Sequence, residues 1–146
     1  MTAEESTKML AILKSAYPNS FKDMTEETAM GTINTWTLHF KDISAFIVWM
    51  ALNKHISTAK YPPTISEIKD RIKSLYYESL ETMALQRDGC LELDEKKSAV
   101  LKAIVDELEP YRGDKKIEPT VNELMDGFHN QLRLNNRNVL KGKNGF

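Results

Sequence analysis

One cysteine, six glycines and five prolines are spread over 146 residues, and each scarcity excludes something. A lone Cys90 closes no internal disulfide, so nothing argues for an oxidising compartment. Its neighbours Gly89 and Leu91 place it in a loop without a cationic partner that would activate the thiol. No apolar run approaches the roughly 18 residues of a membrane span, since Phe46 to Leu52 falls far short. The start, Met1-Thr2-Ala3-Glu4-Glu5, is acidic where a targeting segment is basic. A soluble, cytoplasmic protein with no membrane contact is expected.

Recognisable chemistry is equally sparse. His39, His55 and His129 fall on three separate helical segments, none with a second ligand at metal spacing. There is no glycine-rich phosphate loop, no G-x-S-x-G, and no carboxylate pair distinct from the many ordinary surface acids. The expectation is a non-enzyme with no cofactor and no catalytic or metal site.

What is present is helical periodicity. Thr2 with Glu5, and Thr64 with Glu67, have capping-box spacing. The first opens a helix over 3–17 with Met9, Leu10, Leu13, Ala16 and Tyr17 at helical intervals, closed by Pro18-Asn19-Ser20. Thr25 opens a second helix with Ile33, Trp36 and Phe40 on one face. Ile43 to Leu52 is apolar on almost every side, which predicts a central helix packed on several faces, started by Asp42 and ending near Ala59. Trp36 and Trp49 are both expected in the core. After Pro62-Pro63, residues Ile65, Ile68, Ile72, Leu75 and Tyr76 define a fourth helix reaching about Gln86.

Arg87-Asp88-Gly89-Cys90 is a turn signal. Beyond it, Ala99 to Leu108 makes a fifth helix ending at Pro110, and Val121, Leu124, Met125, Phe128 and Leu132 make a sixth. Pro119-Thr120-Val121-Asn122-Glu123-Leu124 echoes Pro63-Thr64-Ile65-Ser66-Glu67-Ile68, either as a duplicated unit or because both are good helix openings. No strand pattern is evident. The expected fold is all-α: a small bundle of about four N-terminal helices over 1–87, an acidic helical extension over 88–132, and a flexible basic tail over 133–146.

The net charge of -1 conceals a polarity. Residues 1–87 hold ten acids and ten bases, 88–126 eleven acids and six bases, and 127–146 four bases and no acid. Two basic sets are candidates for nucleic-acid contact: Lys69, Arg71 and Lys73 after the Pro-Pro turn, and the tail bases Arg133, Arg137, Lys141 and Lys143. Glu67 and Asp70 interrupt the first set, and the turn lacks the glycine usual in a helix-turn-helix, so direct DNA contact through it is weakly supported. The stripe Leu124, Met125, Phe128 and Leu132 has two readings: completion of the core, or an amphipathic helix for a partner groove, with Arg133, Arg137 and Lys141 fixing its register.

Three segments together carry a family resemblance: Tyr17-Pro18-Asn19, the Trp36 helix, and Tyr61-Pro62-Pro63-Thr64-Ile65-Ser66-Glu67-Ile68. Over about residues 5–75 the chain resembles the helicase loader-and-inhibitor proteins of phages infecting Gram-positive bacteria. The resemblance implies an all-helical N-terminal domain and a C-terminal part that binds a hexameric replicative helicase. It implies that the protein restrains the helicase's ATPase and unwinding activity, and helps load it at the origin with an origin-binding replication protein. Against this stands the alternative of a small helical DNA-binding replication or transcription regulator.

Overall fold

A computed structural model describes the backbone of residues 1–143 and the side chains of residues 1–133. Among the described residues there are seven α-helices, one 3-10 turn and no strand: α1 Ala3–Ala16, α2 Pro18–Phe21, α3 Glu26–His39, α4 Ala45–Thr58, α5 Ile65–Arg87, α6 Glu95–Leu108, the 3-10 turn Glu109–Tyr111, and α7 Val121–Lys143. The all-α expectation holds. The chain forms two compact units, one from Met1–Ala45, Ala59–Pro62 and the stretch from Glu118, the other from Phe46–Thr58 and Pro63–Ile117.

In the first unit the local signals act as expected. Thr2 Oγ1 accepts from the Glu5 amide at 3.2 Å, and the Glu5 carboxylate accepts from the Thr2 amide at 2.7 Å, closing the box that starts α1. The hydrogen bond from the Thr2 backbone holds the Glu5 carboxyl below its ordinary value. α1 packs on α2 and α3, burying Met9, Leu10, Leu13 and Tyr17 with Trp36 and Phe40. The Trp36 and Phe40 rings lie 5.5 Å apart and tilted by 55°, a favoured aromatic geometry. Helix ends leave orphan carbonyls, and past the end of α3 the amino group of Met1 donates to the carbonyls of Phe40, Lys41 and Ile43 at 2.9, 3.1 and 2.6 Å. The hydroxyl of Tyr17 donates to the Ala59 carbonyl at 3.0 Å.

In the second unit, the Thr64 and Glu67 box forms and starts α5. α6 packs on α5, with Ile68, Ile72, Tyr76, Ile104 and Leu108 buried. Tyr76 donates its hydroxyl to the Glu109 carboxylate, and that bond pushes the phenol above its ordinary range. Gly89 and Gly113 turn the chain at φ of 75° and 72°, a region that only glycine enters cheaply.

Several element boundaries differ from the sequence expectation. α4 begins at Ala45, so Ser44 and not Asp42 precedes it. α6 begins four residues before Ala99, capped by Asp94, whose carboxylate accepts from the Lys97 amide at 2.8 Å. α4 is also not packed all round. It buries Ile47, Val48, Ala51, Leu52 and His55 along one face, while Phe46 and Trp49 are exposed. Trp36 is in the core as expected; Trp49 is not.

Replacing Phe40, which is fully buried, by Ala is expected to lower the unfolding free energy by roughly 3–5 kcal/mol. Phe46→Ala should cost less than about 1 kcal/mol, because half of that side chain is already in water. Urea unfolding of the two variants checks this, and equal losses would contradict the one-sided burial of α4.

Candidate functional site

α7 is organised by its first turn. Thr120 Oγ1 accepts from the Glu123 amide at 3.3 Å, and a Glu123 oxygen accepts from the Thr120 amide at 2.9 Å, so this Pro-Thr start closes the same box as Thr64 does. The other Glu123 oxygen accepts from Lys41 Nζ at 2.8 Å, tying α7 to the segment after α3. The Lys41 ammonium, and then the Thr120 amide, hold the Glu123 carboxyl below its ordinary value. Reciprocally, the hydrogen bond to Glu123 holds Lys41 above its own.

Further along, α7 meets α3 through small and polar residues. A Cβ on Gly127 would lie 2.8 Å from a terminal methyl of Leu38, and one on Gly31 would lie 3.4 Å from Gln131 Nε2. Asn34 Nδ2 donates to Gln131 Oε1 at 3.4 Å. A cleft of about 260 Å³ beside this contact is lined by Asn34, Thr37, Leu38, Lys41, Asp126 and Asn130, among others. The docked side of α7 is therefore its polar, glycine-bearing side.

Its apolar side faces water. Val121, Leu124, Met125, Phe128 and Leu132 are between 44% and 75% exposed. At 3.6 residues per turn they fall within an arc of about 100°, the width of a core-facing stripe. Of the two readings of this stripe, completion of the core fails for Leu124 and Phe128. Arg133 is exposed as well. The side chains of Arg137 and Lys141, like those of the expected tail from residue 134 onward, lie outside the described residues.

A second exposed apolar feature, which sequence periodicity did not single out, is the pair Phe46 and Trp49 on α4. Their rings stack at 6.5 Å and 23°. A run that is apolar all round a helix is the signal that was available, but it does not say which side stays uncovered.

Three basic residues near the Pro-Pro turn, Lys54, Arg71 and Lys73, bond within the second unit. Arg71 Nε donates to His55 Nδ1 at 3.1 Å, and its Nη2 to Thr58 Oγ1 at 3.2 Å. Lys73 Nζ donates to the Gly113 carbonyl at 2.9 Å, and Lys54 pairs with Glu78 at 2.6 Å. Among the described residues no three His, Cys, Asp or Glu side chains converge as metal ligands, and no helix is long and apolar enough to cross a membrane.

The Lys41–Glu123 pair has a definite pH dependence. A depressed carboxyl stabilises docking above its ordinary value of 4.5 and ceases to do so as pH falls through its lowered value. A raised ammonium contributes below 10.5 and is lost as pH rises through its raised value. Protection factors of α7 amides, corrected for intrinsic exchange, should therefore be flat across neutral pH and fall on acidification below 4.5. Lys41→Met should shrink that acid step to the part that the Thr120 amide supports, and an unchanged step would assign it elsewhere.

Residues 1–69 match the family model for the N-terminal domain of a phage helicase loader/inhibitor, a family of Gram-positive phages. The match covers α1 to α4 and the first turn of α5, and ends well before α7. No curated protein and no solved structure gives a significant match to the chain.

Proposed function

We propose, on the premise that residues 1–69 are the N-terminal domain of this helicase loader/inhibitor family, that the chain is a phage replication accessory protein, not itself an enzyme, that binds a hexameric replicative helicase. In this reading it restrains the helicase's ATPase and unwinding activity and helps deliver it to the origin through an origin-binding replication protein, in the cytoplasm of the host cell. The work is done by binding. A ligand shifts a conformational equilibrium only by its differential affinity for the two states, so the protein must fit one helicase state better than another.

The observation that carries the binding side of this reading is the outward apolar face of α7. Leu124, Met125, Phe128 and Leu132 are spaced as anchors of a helix laid in a groove, and Arg133, Arg137 and Lys141 follow them along the same helix. Burying a large apolar side chain fully is worth roughly 1.5–3 kcal/mol, so four half-exposed anchors supply roughly 3–6 kcal/mol before ordering costs. A contact of that size is reversible, as a loader that must release its cargo requires.

The alternative of a DNA-binding regulator draws less support. Of Lys69, Arg71, Lys73 and the basic tail, through which it would act, Arg71 and Lys73 are engaged by Thr58, His55 and Gly113 within the fold.

The test is helicase capture by the full chain carrying Leu124→Ser with Phe128→Ser, beside the unaltered chain. Both positions are exposed, so the circular dichroism and the unfolding midpoint should change little. Capture and ATPase restraint are expected to drop by about tenfold or more, the loss typical of truncated interface anchors. Full capture by the double variant would sink the assignment of the α7 face. Capture by neither chain, with salt-sensitive DNA binding by both, would favour the regulator instead.

A further inference from the structure

The amino group of Met1 lies inside the fold. Met1 is buried, and its nitrogen meets the carbonyls of Phe40, Lys41 and Ile43 at 2.9, 3.1 and 2.6 Å. An ammonium carries three N–H donors, one for each carbonyl. The bonds to Phe40 and Ile43 are themselves buried. All three acceptors belong to the segment that follows α3, where a helix leaves carbonyls in need of donors and its dipole favours a positive charge.

The start of α1 aims the nitrogen at this place. The Thr2 amide is held by the Glu5 carboxylate at 2.7 Å, and the Thr2 carbonyl accepts from the Ser6 amide and hydroxyl at 2.9 and 3.0 Å. The Ser6 and Thr37 hydroxyls stand 2.8 Å apart and tie α1 to α3. Lys41 then links the site to α7, since its carbonyl accepts from Met1 while its side chain bonds Glu123 at 2.8 Å. The amino group stands directly behind the residue that holds α7.

This nitrogen is also the atom that N-terminal processing alters. An initiator methionine placed by a bacterial ribosome, the setting of this phage family, carries a formyl group on it. The formamide has one N–H in place of three and no charge, and it sets a further carbonyl oxygen among the three already there. Hydrolysis of its N–C bond takes up one water, releases formate and leaves the ammonium. A second hydrolysis, at the Met1–Thr2 peptide bond, takes up another water, releases methionine and withdraws the donor from all three carbonyls. A buried carbonyl deprived of its donor is costly.

We propose that the α-nitrogen of Met1 is a modification site through which N-terminal processing controls the first unit. Unblocked, it closes the join between α1 and the segment after α3; formylated, or lost with Met1, it leaves that join open and loosens α7.

Three forms of the full chain test this: one beginning at unblocked Met1, one with a single glycine added before Met1, and one beginning at Thr2. The added glycine, like the formyl group, makes the nitrogen an amide but keeps the Met1 side chain. The second form adds bulk and the third removes it, so what they share is the loss of the ammonium. Both are expected to melt roughly 5–15 °C below the unblocked chain, the effect of two buried carbonyls losing a charged donor in a domain of this size. Protection of α7 amides, corrected for intrinsic exchange, should fall in both forms. The folded chain recovered from a bacterial host should have the mass of the unformylated protein with Met1 retained. Either altered form melting within about 2 °C of the unblocked chain overturns the proposal. Unchanged α7 protection in both forms overturns it as well, and so does a folded product that is formylated or begins at Thr2 and melts with the unblocked chain.

Discussion

A helix that docks through its polar side must give its apolar side to solvent, and α7 is held in that orientation by its contacts with α3 and Lys41. Gly127 is the permissive element. A side chain there would have to displace Leu38, so glycine lets the two backbones approach and lets the hydrophilic flank become the inner one. The Lys41–Glu123 pair adds direction more than strength, since it is exposed and open to screening. An uncovered row of five apolar residues is unusual on a folded surface.

The second unit follows a different logic. Three of its bases bond between its own elements: Arg71 to His55 and Thr58, Lys73 to the turn at Gly113, Lys54 to Glu78. The Gly113 turn is tied to α5 through both of its backbone polar groups, its carbonyl accepting from Lys73 and its amide donating to the Tyr77 hydroxyl at 3.1 Å. Together with the Tyr76–Glu109 bond, these contacts fix the chain as it leaves α6. Basic residues near a helix–turn–helix arrangement are easily read as phosphate contacts. Here their hydrogen bonds show them to be joints between elements.

Local rules carried most of the fold. All three Thr-x-x-Glu boxes, at Thr2, Thr64 and Thr120, form as their spacing demands, because the side chains that close them are only three residues apart. The start of α6 was harder to read. Its first turn, Glu95-Lys96-Lys97, has no apolar residue to mark a period, and Asp94 alone announces it. The uncovered side of α4 was not legible in the pattern, and that of α7 stood there as one of two readings. Periodicity states that a helix has an apolar face; whether another element covers that face is decided by tertiary packing. Trp49 and Phe128 therefore had to be located in space, while Trp36 and Phe40 followed from their shared helical face. The family resemblance, resting on the Tyr17 and Tyr61 turns, lies in the segment that the family model covers and away from the α7 stripe.

The two tryptophans sit one in each compact unit and in opposite surroundings. Trp36 is packed against Phe40 in the first unit, and Trp49 lies stacked on Phe46 at the surface of the second. Indole emission moves to longer wavelength as water reaches the ring. The chain therefore carries its own pair of optical probes: a blue-emitting one that answers for the integrity of the first unit, and a red-emitting one sensitive to whatever settles on the outer side of α4. A change confined to the red component of the spectrum would report an event at that surface without any label being added.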